Sequence, residues 1–398
     1  MLKFKNYSYL ILFLGILIVV GGHGFARYAY SLLLPSMKES LKLNYTEMGL
    51  LGTANLIGYV SFTLIVGYLA TKFSQQRVIW VNLWVLNMAM IATGFADSFL
   101  SAFTFRLFTG LSYSCIYITN LAYVVSWFDA GSRGRVMGLV SSGTGVGILL
   151  SAVFIPTVLG VFGGDGWRYS WYFMGLSGIF VTVFVMIFYK EPPSFKKEGA
   201  AVKNINSLLV FKIFKIWLLG FSFFFFGIGY IIYFTFLPAY FVKEIGVSSN
   251  LVSLAWSING FVSIFAGFFW GFLSDKIGRK NGLVLNYMLI ILSVVVVTFW
   301  QSSSALIVSI ILFGASFLGI PTIISASSAD SVEVELIPQA LGMITFLFGI
   351  GQAVGPTIGG YIADKTGSFK PAMLAAAIFL IFGLLVSIVR KGDVQKTL

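Results

Sequence analysis

The chain has 398 residues, of which 58% are hydrophobic and only 10% charged, and 26 bases against 14 acids leave a net charge of +12. Soluble globular domains carry about 25% charged residues, so a water-soluble enzyme and a disordered nucleic-acid binder are both excluded. One cysteine rules out a disulfide framework or a cysteine metal site, and one histidine rules out any two-histidine metal cluster.

What remains is an all-α, polytopic membrane protein. An apolar helix of roughly 20 residues crosses the hydrocarbon core. Cutting the chain at its charged and Gly/Pro/Asn clusters predicts twelve such spans. The first six cover residues 7–35, 46–71, 78–96, 99–128, 136–162 and 167–189. The second six cover 214–242, 251–274, 282–301, 305–329, 340–363 and 371–389. The opening segment is too long for a signal-peptide core and has no small-residue cleavage site ahead of a soluble domain, so it reads as a true span. The longest hydrophilic stretch then divides the chain into an N-terminal six-helix bundle (1–190), a cytoplasmic linker (191–212) and a C-terminal six-helix bundle (213–398).

Charge sets the orientation. With the N-terminus inside, 18 Lys and Arg fall on the inner side and six on the outer side. That bias puts both termini in the cytoplasm of a plasma (inner) membrane protein. Counting the acids as well, the inner side carries +10 and the outer side zero. The residual +2 is Arg27 and Arg106, which lie inside spans 1 and 4.

The two halves align at an almost constant offset. Asn55 falls on Asn259, Gly67 on Gly271, Gly138 on Gly342, Gly145 on Gly349 and Gly147 on Gly351, all 204 residues apart. Parallel repeats of this kind build transporters that rock around a midplane site. The expected fold is therefore two pseudo-symmetric bundles.

At the inner end of span 8 stands Gly271-Phe-Leu-Ser-Asp275-Lys276-Ile-Gly278-Arg279-Lys280. This run resembles the cytoplasmic-loop signature of the major facilitator superfamily, with every motif position filled. The resemblance implies the fold of that superfamily, rocker-switch alternating access, and a gating role for Gly271, Asp275, Gly278, Arg279 and Lys280, with the start of span 11 as the partner of Asp275. The equivalent N-half loop has Thr71 for the Asp and Gln75 for the Arg, which predicts a weaker latch there. Span 4 carries Arg106-Leu-Phe-Thr-Gly110, similar to the superfamily's Arg-xxx-Gly signature. Span 11 has Gly351, Gly355, Pro356, Gly359 and Gly360, a pattern that marks drug–proton antiporters when it lies in span 5. Here span 5 has Gly147, Ser151, Ala152, Ile155 and Pro156 instead, so the antiporter inference fails. The opening segment from Gly24 through Arg27 and Tyr30 to Pro35 resembles the YbfB-type branch of the superfamily.

A buried ionisable side chain costs about 2.5–3.5 kcal/mol on insertion scales, so each one is a functional candidate. His23 and Arg27 stand at i and i+4 and share a face of an α-helix, with Tyr30 a further turn on. Arg106, Gly110, Tyr113, Tyr117 and Asn120 form a stripe on span 4, and Tyr230, Tyr233, Leu237 and Tyr240 another on span 7. No Asp or Glu lies deep in any predicted span. Two deep guanidiniums favour an anion, since bidentate contact with a carboxylate offsets desolvation on both sides. The structural alternative is that Arg106 packs on backbone carbonyls at a helix break and Arg27 snorkels outward. His23 is the one side chain in the spans that titrates near neutral pH, so it carries a substrate-linked proton or simply hydrogen-bonds a carbonyl.

The candidate substrate-binding residues are thus Arg27, Arg106, His23, Tyr30, Tyr113, Tyr117, Tyr230, Tyr233 and Gln352. They point to a secondary active transporter of a small organic anion, a carboxylate above all. The alternative, an exporter of hydrophobic or neutral compounds, draws on the 41 phenylalanines. No catalytic residue, metal or cofactor is expected. The expected partners are a small-molecule substrate, a coupling proton or counter-anion, and the lipid bilayer around a monomer, with no nucleic acid.

Overall fold

The computed structural model describes residues 2–63, 66, 69, 73–128, 133–190, 207–332 and 336–389. Several expectations lie outside these residues: the N-half loop positions Gly67, Thr71 and Lys72, the linker 191–206, Asp129, Glu333, Glu335, and the basic tail from Arg390.

Nearly every described residue is helical, and no strand occurs among them. The chain divides into two compact units, Met1–Gly199 and Ala200–Leu398. In the first unit, α1 (Leu2–Val19) runs into a π-helical segment (Val20–Tyr28) and then α2 (Tyr30–Leu41). It continues through α3 (Tyr45–Thr63), α4 (Gln75–Gly94), α5 (Phe99–Val125), α6 (Arg133–Phe162) and α7 (Gly166–Phe188). The second unit contains α8 (Phe214–Lys243), α9 (Ser249–Ile277), α10 (Arg279–Phe299), α11 (Ser303–Phe317) and α12 (Gly319–Ala329). It closes with α13 (Ile337–Thr366) and α14 (Lys370–Val389). Among the described residues, nine helical stretches are long and apolar enough to cross a membrane, one of them containing both α6 and α7. The long helix α5 is not among the nine, because its Arg, Ser, Thr, Tyr and Asn side chains dilute the apolar run.

Local chemistry sets the helix starts, and it recurs between the units. Asn44 accepts the amide of Glu47 at 2.7 Å while the Glu47 carboxylate accepts the amide of Asn44 at 2.9 Å, a reciprocal cap of two otherwise orphaned donors. Ser98 caps α5 in the same way with Ser101. Ser248 and Ser302, each 204 residues further on, accept the third-residue amides of α9 and α11. Packing recurs as well. A side chain at Gly110 would collide with the Asn55 backbone, and one at Gly314 would press on Asn259 at 3.0 Å.

Two predicted spans are not simple α-helices. In span 1, the Ala29 amide bonds the Gly24 carbonyl five residues back at 2.8 Å, the wider turn of a π-helix, a feature frequent at functional sites. Gly24 meets Gly147 of α6 backbone to backbone, a contact with no room for a side chain on either. Span 10 breaks at Leu318, where Pro321 has no N–H to offer the Phe317 carbonyl.

The α9–α10 turn needs Gly278 at φ +90°, ψ 144°, and the equivalent Ser74 adopts φ +64°, ψ 148°. This region is essentially reserved for glycine and costs other residues about 1–3 kcal/mol. Ser74→Gly should raise the thermal midpoint of the purified protein in detergent by the equivalent of about 1 kcal/mol, net of the freedom glycine gains on unfolding. Gly278→Ala should lower it. A Ser74→Gly protein that melts at or below the parent temperature would contradict the strain assignment.

Candidate functional site

The π-helical segment places its polar residues against three other helices of the first unit. His23 Nδ1 lies 3.0 Å from Thr144 Oγ1 on α6. The imidazole packs among the rings of Tyr28, Tyr113 and Tyr117, at centroid distances of 5.8, 4.7 and 4.9 Å. The Arg27 guanidinium lies over Tyr28 at 5.3 Å and over Tyr59 of α3 at 5.5 Å, and only 8% of the residue is exposed. Arg27 is therefore boxed by phenol rings, which hold a cation through their faces. The Tyr113 hydroxyl is buried and has no hydrogen-bond partner among the described residues, whereas Tyr117 approaches Ser141 at 3.4 Å.

Arg106 occupies a different environment from Arg27. Its guanidinium donates to the Ala26 carbonyl at 2.5 Å and the Leu51 carbonyl at 3.4 Å, and lies over Tyr30 at 4.4 Å and Trp171 at 5.5 Å. It is 1% exposed. The Ala26 carbonyl sits where the π segment gives way to α2, so Arg106 supplies a donor at the junction. Tyr30 belongs to this cluster, donating to the Met48 carbonyl at 2.6 Å. The α-helical spacing that would align Tyr30 with His23 and Arg27 does not hold across the wider π turn, where residues five apart meet, as His23 and Tyr28 do. The span-4 stripe divides likewise. Gly110 packs on Asn55, Tyr113 and Tyr117 face His23, and Asn120 bonds the Gly15 carbonyl and the Tyr189 hydroxyl.

In the second unit the candidate side chains satisfy one another. Gln352 donates to the Tyr230 hydroxyl. Tyr233 pairs with Ser309, which donates to the Ser293 carbonyl at 2.6 Å. Gln301 donates to the Tyr240 hydroxyl at 2.7 Å. Phe223 and Phe348 stack at 3.9 Å, and Tyr233 on Phe313 at 4.5 Å.

At the α9–α10 turn of this unit, Arg279 pairs with Asp275 at 2.5 Å and with Asp330 of the α12 end at 3.0 Å, and donates to Ser274 at 2.8 Å. Gly278 makes the turn that brings these groups together. Gly271 lies against Thr322 of α12, and Lys276 over Phe272. Lys280 opens α10 next to Arg279.

Sequence reasoning missed Tyr59, Thr144 and the pairing of Arg279 with Asp330. Tyr59 and Thr144 carry no charge and sit on helices remote in sequence, so only the tertiary fold reveals them. Asp330 follows the end of span 10 in sequence, and nothing in the sequence names its partner.

A family model described as "Uncharacterised MFS-type transporter YbfB" matches residues 19–388. Among curated proteins, the chain is 28% identical over 387 residues to the hexuronate transporter of Bacillus subtilis (strain 168), covering 91% of this chain and 90% of that one. It is 22% identical over 391 residues to the probable sulfoacetate transporter SauU of Cupriavidus necator, covering 91% and 89%. A crystal structure of a bacterial homologue of the human lysosomal transporter Spinster has the same fold, with a TM-score of 0.83 at 16% identity over 96% of this chain and 98% of that one.

Arg106→Met should expose the clamp. Each carbonyl left bare in the low-dielectric interior costs about 1–3 kcal/mol, so the melting midpoint in detergent should fall clearly. Arg106→Lys should fall between, because a point charge cannot serve both carbonyls as a planar fork does. A methionine variant that melts like the parent would refute the clamp.

Proposed function

The chain belongs to the YbfB-type family of major facilitator superfamily transporters, and we propose that it is a secondary active transporter of a small organic anion, a carboxylate, working by alternating access. In this reading the candidate spans, with α6 and α7 counted separately and α3 and α5 added, make twelve membrane helices in two six-helix bundles joined by the 191–212 linker. Both termini face the cytoplasm of the plasma membrane, as the basic residues favour.

One observation carries the substrate class: a buried guanidinium over Tyr28 and Tyr59, with the Tyr113 ring 6.1 Å from that of Tyr59 and its buried hydroxyl without a partner among the described residues. A carboxylate accepts from both groups, and charge-assisted bonds of this kind are the strong ones. Hexuronate and sulfoacetate, the substrates in the names of the two relatives, are both anions. In this assignment Arg27 reads the charge, Tyr113 and Tyr117 orient the anion, His23 lies beside it, and Arg106 with Tyr30 holds the segment that presents them. Tyr230, Tyr233 and Gln352 are the candidate binding residues of the second unit, taken by itself. The Asp275–Arg279–Asp330 cluster, with Gly271, Gly278 and Lys280, acts as the inner-side gate, made and broken during the cycle. The phenylalanines lend the hydrophobic-exporter alternative no support of their own. Many stack on each other, and others, such as Phe268 at 83% exposure, lie on the bundle surface where lipid is expected.

The test is a ligand-stabilisation screen on the purified protein with glucuronate, sulfoacetate and short dicarboxylates, set against organic cations and neutral sugars. At least one carboxylate should raise the melting temperature. Arg27→Ala should abolish that shift, and Tyr113→Phe should weaken the affinity about fivefold, the loss of one hydrogen bond of about 1 kcal/mol. Stabilisation by cations or neutral compounds with every carboxylate inert would end this reading.

A further inference from the structure

We propose that His23 takes up one proton as the anion binds beside Arg27 and carries it through the transport cycle, so that the protein is a proton–anion symporter. This inference rests on the anion-transporter reading and adds its energy source. The proton comes from water and adds to the free lone pair of the neutral imidazole; no bond in the substrate changes.

The first support is the partner on Nδ1. Thr144 Oγ1, at 3.0 Å, is a hydroxyl. A backbone carbonyl only accepts and would hold the imidazole in one tautomer. A hydroxyl both donates and accepts, so Thr144 serves a bare Nδ1 and a protonated Nδ1 alike by turning its O–H. His23 can therefore change charge without losing its hydrogen bond.

The second support is the charge around the ring. From its own segment His23 meets Tyr28, from α5 Tyr113 and Tyr117, and from α6 Thr144; Arg27, four residues on, lies over the same Tyr28 ring and over Tyr59 of α3. The phenols are neutral near pH 7, which leaves Arg27 as the one charge in this set. Two cations packed on the same Tyr28 ring in a medium of low dielectric repel, and an anion lodged beside both removes the repulsion. Proton and anion thus favour each other's binding, and the coupling is reciprocal. A cluster that loads both or neither is what symport requires.

The third support is the sequence. The chain has one histidine and no deep carboxylate in its predicted spans, so no other group within them offers a proton site in the physiological range.

Two measurements on the full-length protein decide it. In weakly buffered detergent solution near pH 7, a pH dye should report about one proton taken up per glucuronate bound, with binding followed in parallel by thermal shift. In proteoliposomes, the steady-state accumulation of labelled glucuronate should rise about tenfold per unit of imposed inward pH gradient and collapse with a protonophore. Other carboxylates from the screen replace glucuronate if it does not bind. His23→Gln keeps a hydrogen-bonding amide but cannot titrate. It should lose the proton uptake and bring the accumulation ratio to one, a thermodynamic readout that partial loss of rate does not imitate. Thr144→Val should displace the pH profile of uptake, and Thr144→Ser should restore it, which keeps the proposal testable if His23→Gln does not fold. Anion binding without proton uptake, or a tenfold ratio persisting in His23→Gln, overturns the coupling and leaves the anion reading intact. No binding by any anion overturns both.

Discussion

A cation buried in a membrane protein must find oxygen, and in the first unit Arg106 finds it on the backbone of a neighbouring helix. The Ala26 carbonyl it holds lies at the junction between a π-helical segment and the α-helix that follows. A π turn departs from the regular ladder and needs a tertiary partner to persist. Arg106 supplies that partner from one side, and the Gly24–Gly147 contact admits α6 to the segment's backbone. Everything the site presents follows from this constraint. Held in the wide turn, His23 and Tyr28 meet at five-residue spacing, and Arg27 lies between Tyr28 and Tyr59.

Two arginines that look alike on paper therefore divide their work by partner. Arg106 is spent on carbonyls and on the faces of Tyr30 and Trp171. The Arg27 guanidinium lies over the faces of Tyr28 and Tyr59. Ring faces stabilise a cation without consuming its N–H donors. A guanidinium bonded to carbonyls of neighbouring segments ties those segments together, whereas one lying over phenol faces draws stabilisation from side chains instead.

The helices were legible because two independent signals coincide in the chain. Long apolar runs give their lengths, and Asn44, Ser98, Ser248 and Ser302 mark starts that the structure caps as their chemistry dictates. The membership of the site was half legible. Buried charge singles out His23, Arg27 and Arg106 in any apolar run, since nothing else there carries a comparable desolvation cost. Their grouping was not legible. Helical spacing assumes 3.6 residues per turn, and the π segment breaks that assumption where the site lies. Tyr59 and Thr144 leave no mark in sequence, for an uncharged polar residue in a span is ordinary until a neighbouring helix gives it a partner.

The repeat shows how such a site arises at low cost. Both units keep the same caps and the same close approach of an Asn to a Gly, Asn55 to Gly110 and Asn259 to Gly314. Their polar chemistry has parted. Asn55 donates to Thr109 at 2.8 Å, while the residue at the matching place in the second unit is Phe313, which stacks on Tyr233 and leaves the Asn259 amide donor without a partner. At the α9–α10 turn the asymmetry reverses: Asp275 and Arg279 form a charged cluster with Asp330, where the first unit has Thr71 and Gln75 in sequence. Packing and capping fix each bundle and cannot drift far without unfolding it. The polar side chains between those fixed points are free to diverge, provided each buried charge keeps a partner. One half then gathers a cation, an imidazole and phenols into one buried cluster, and the other gathers acids and a base at the end of its helices.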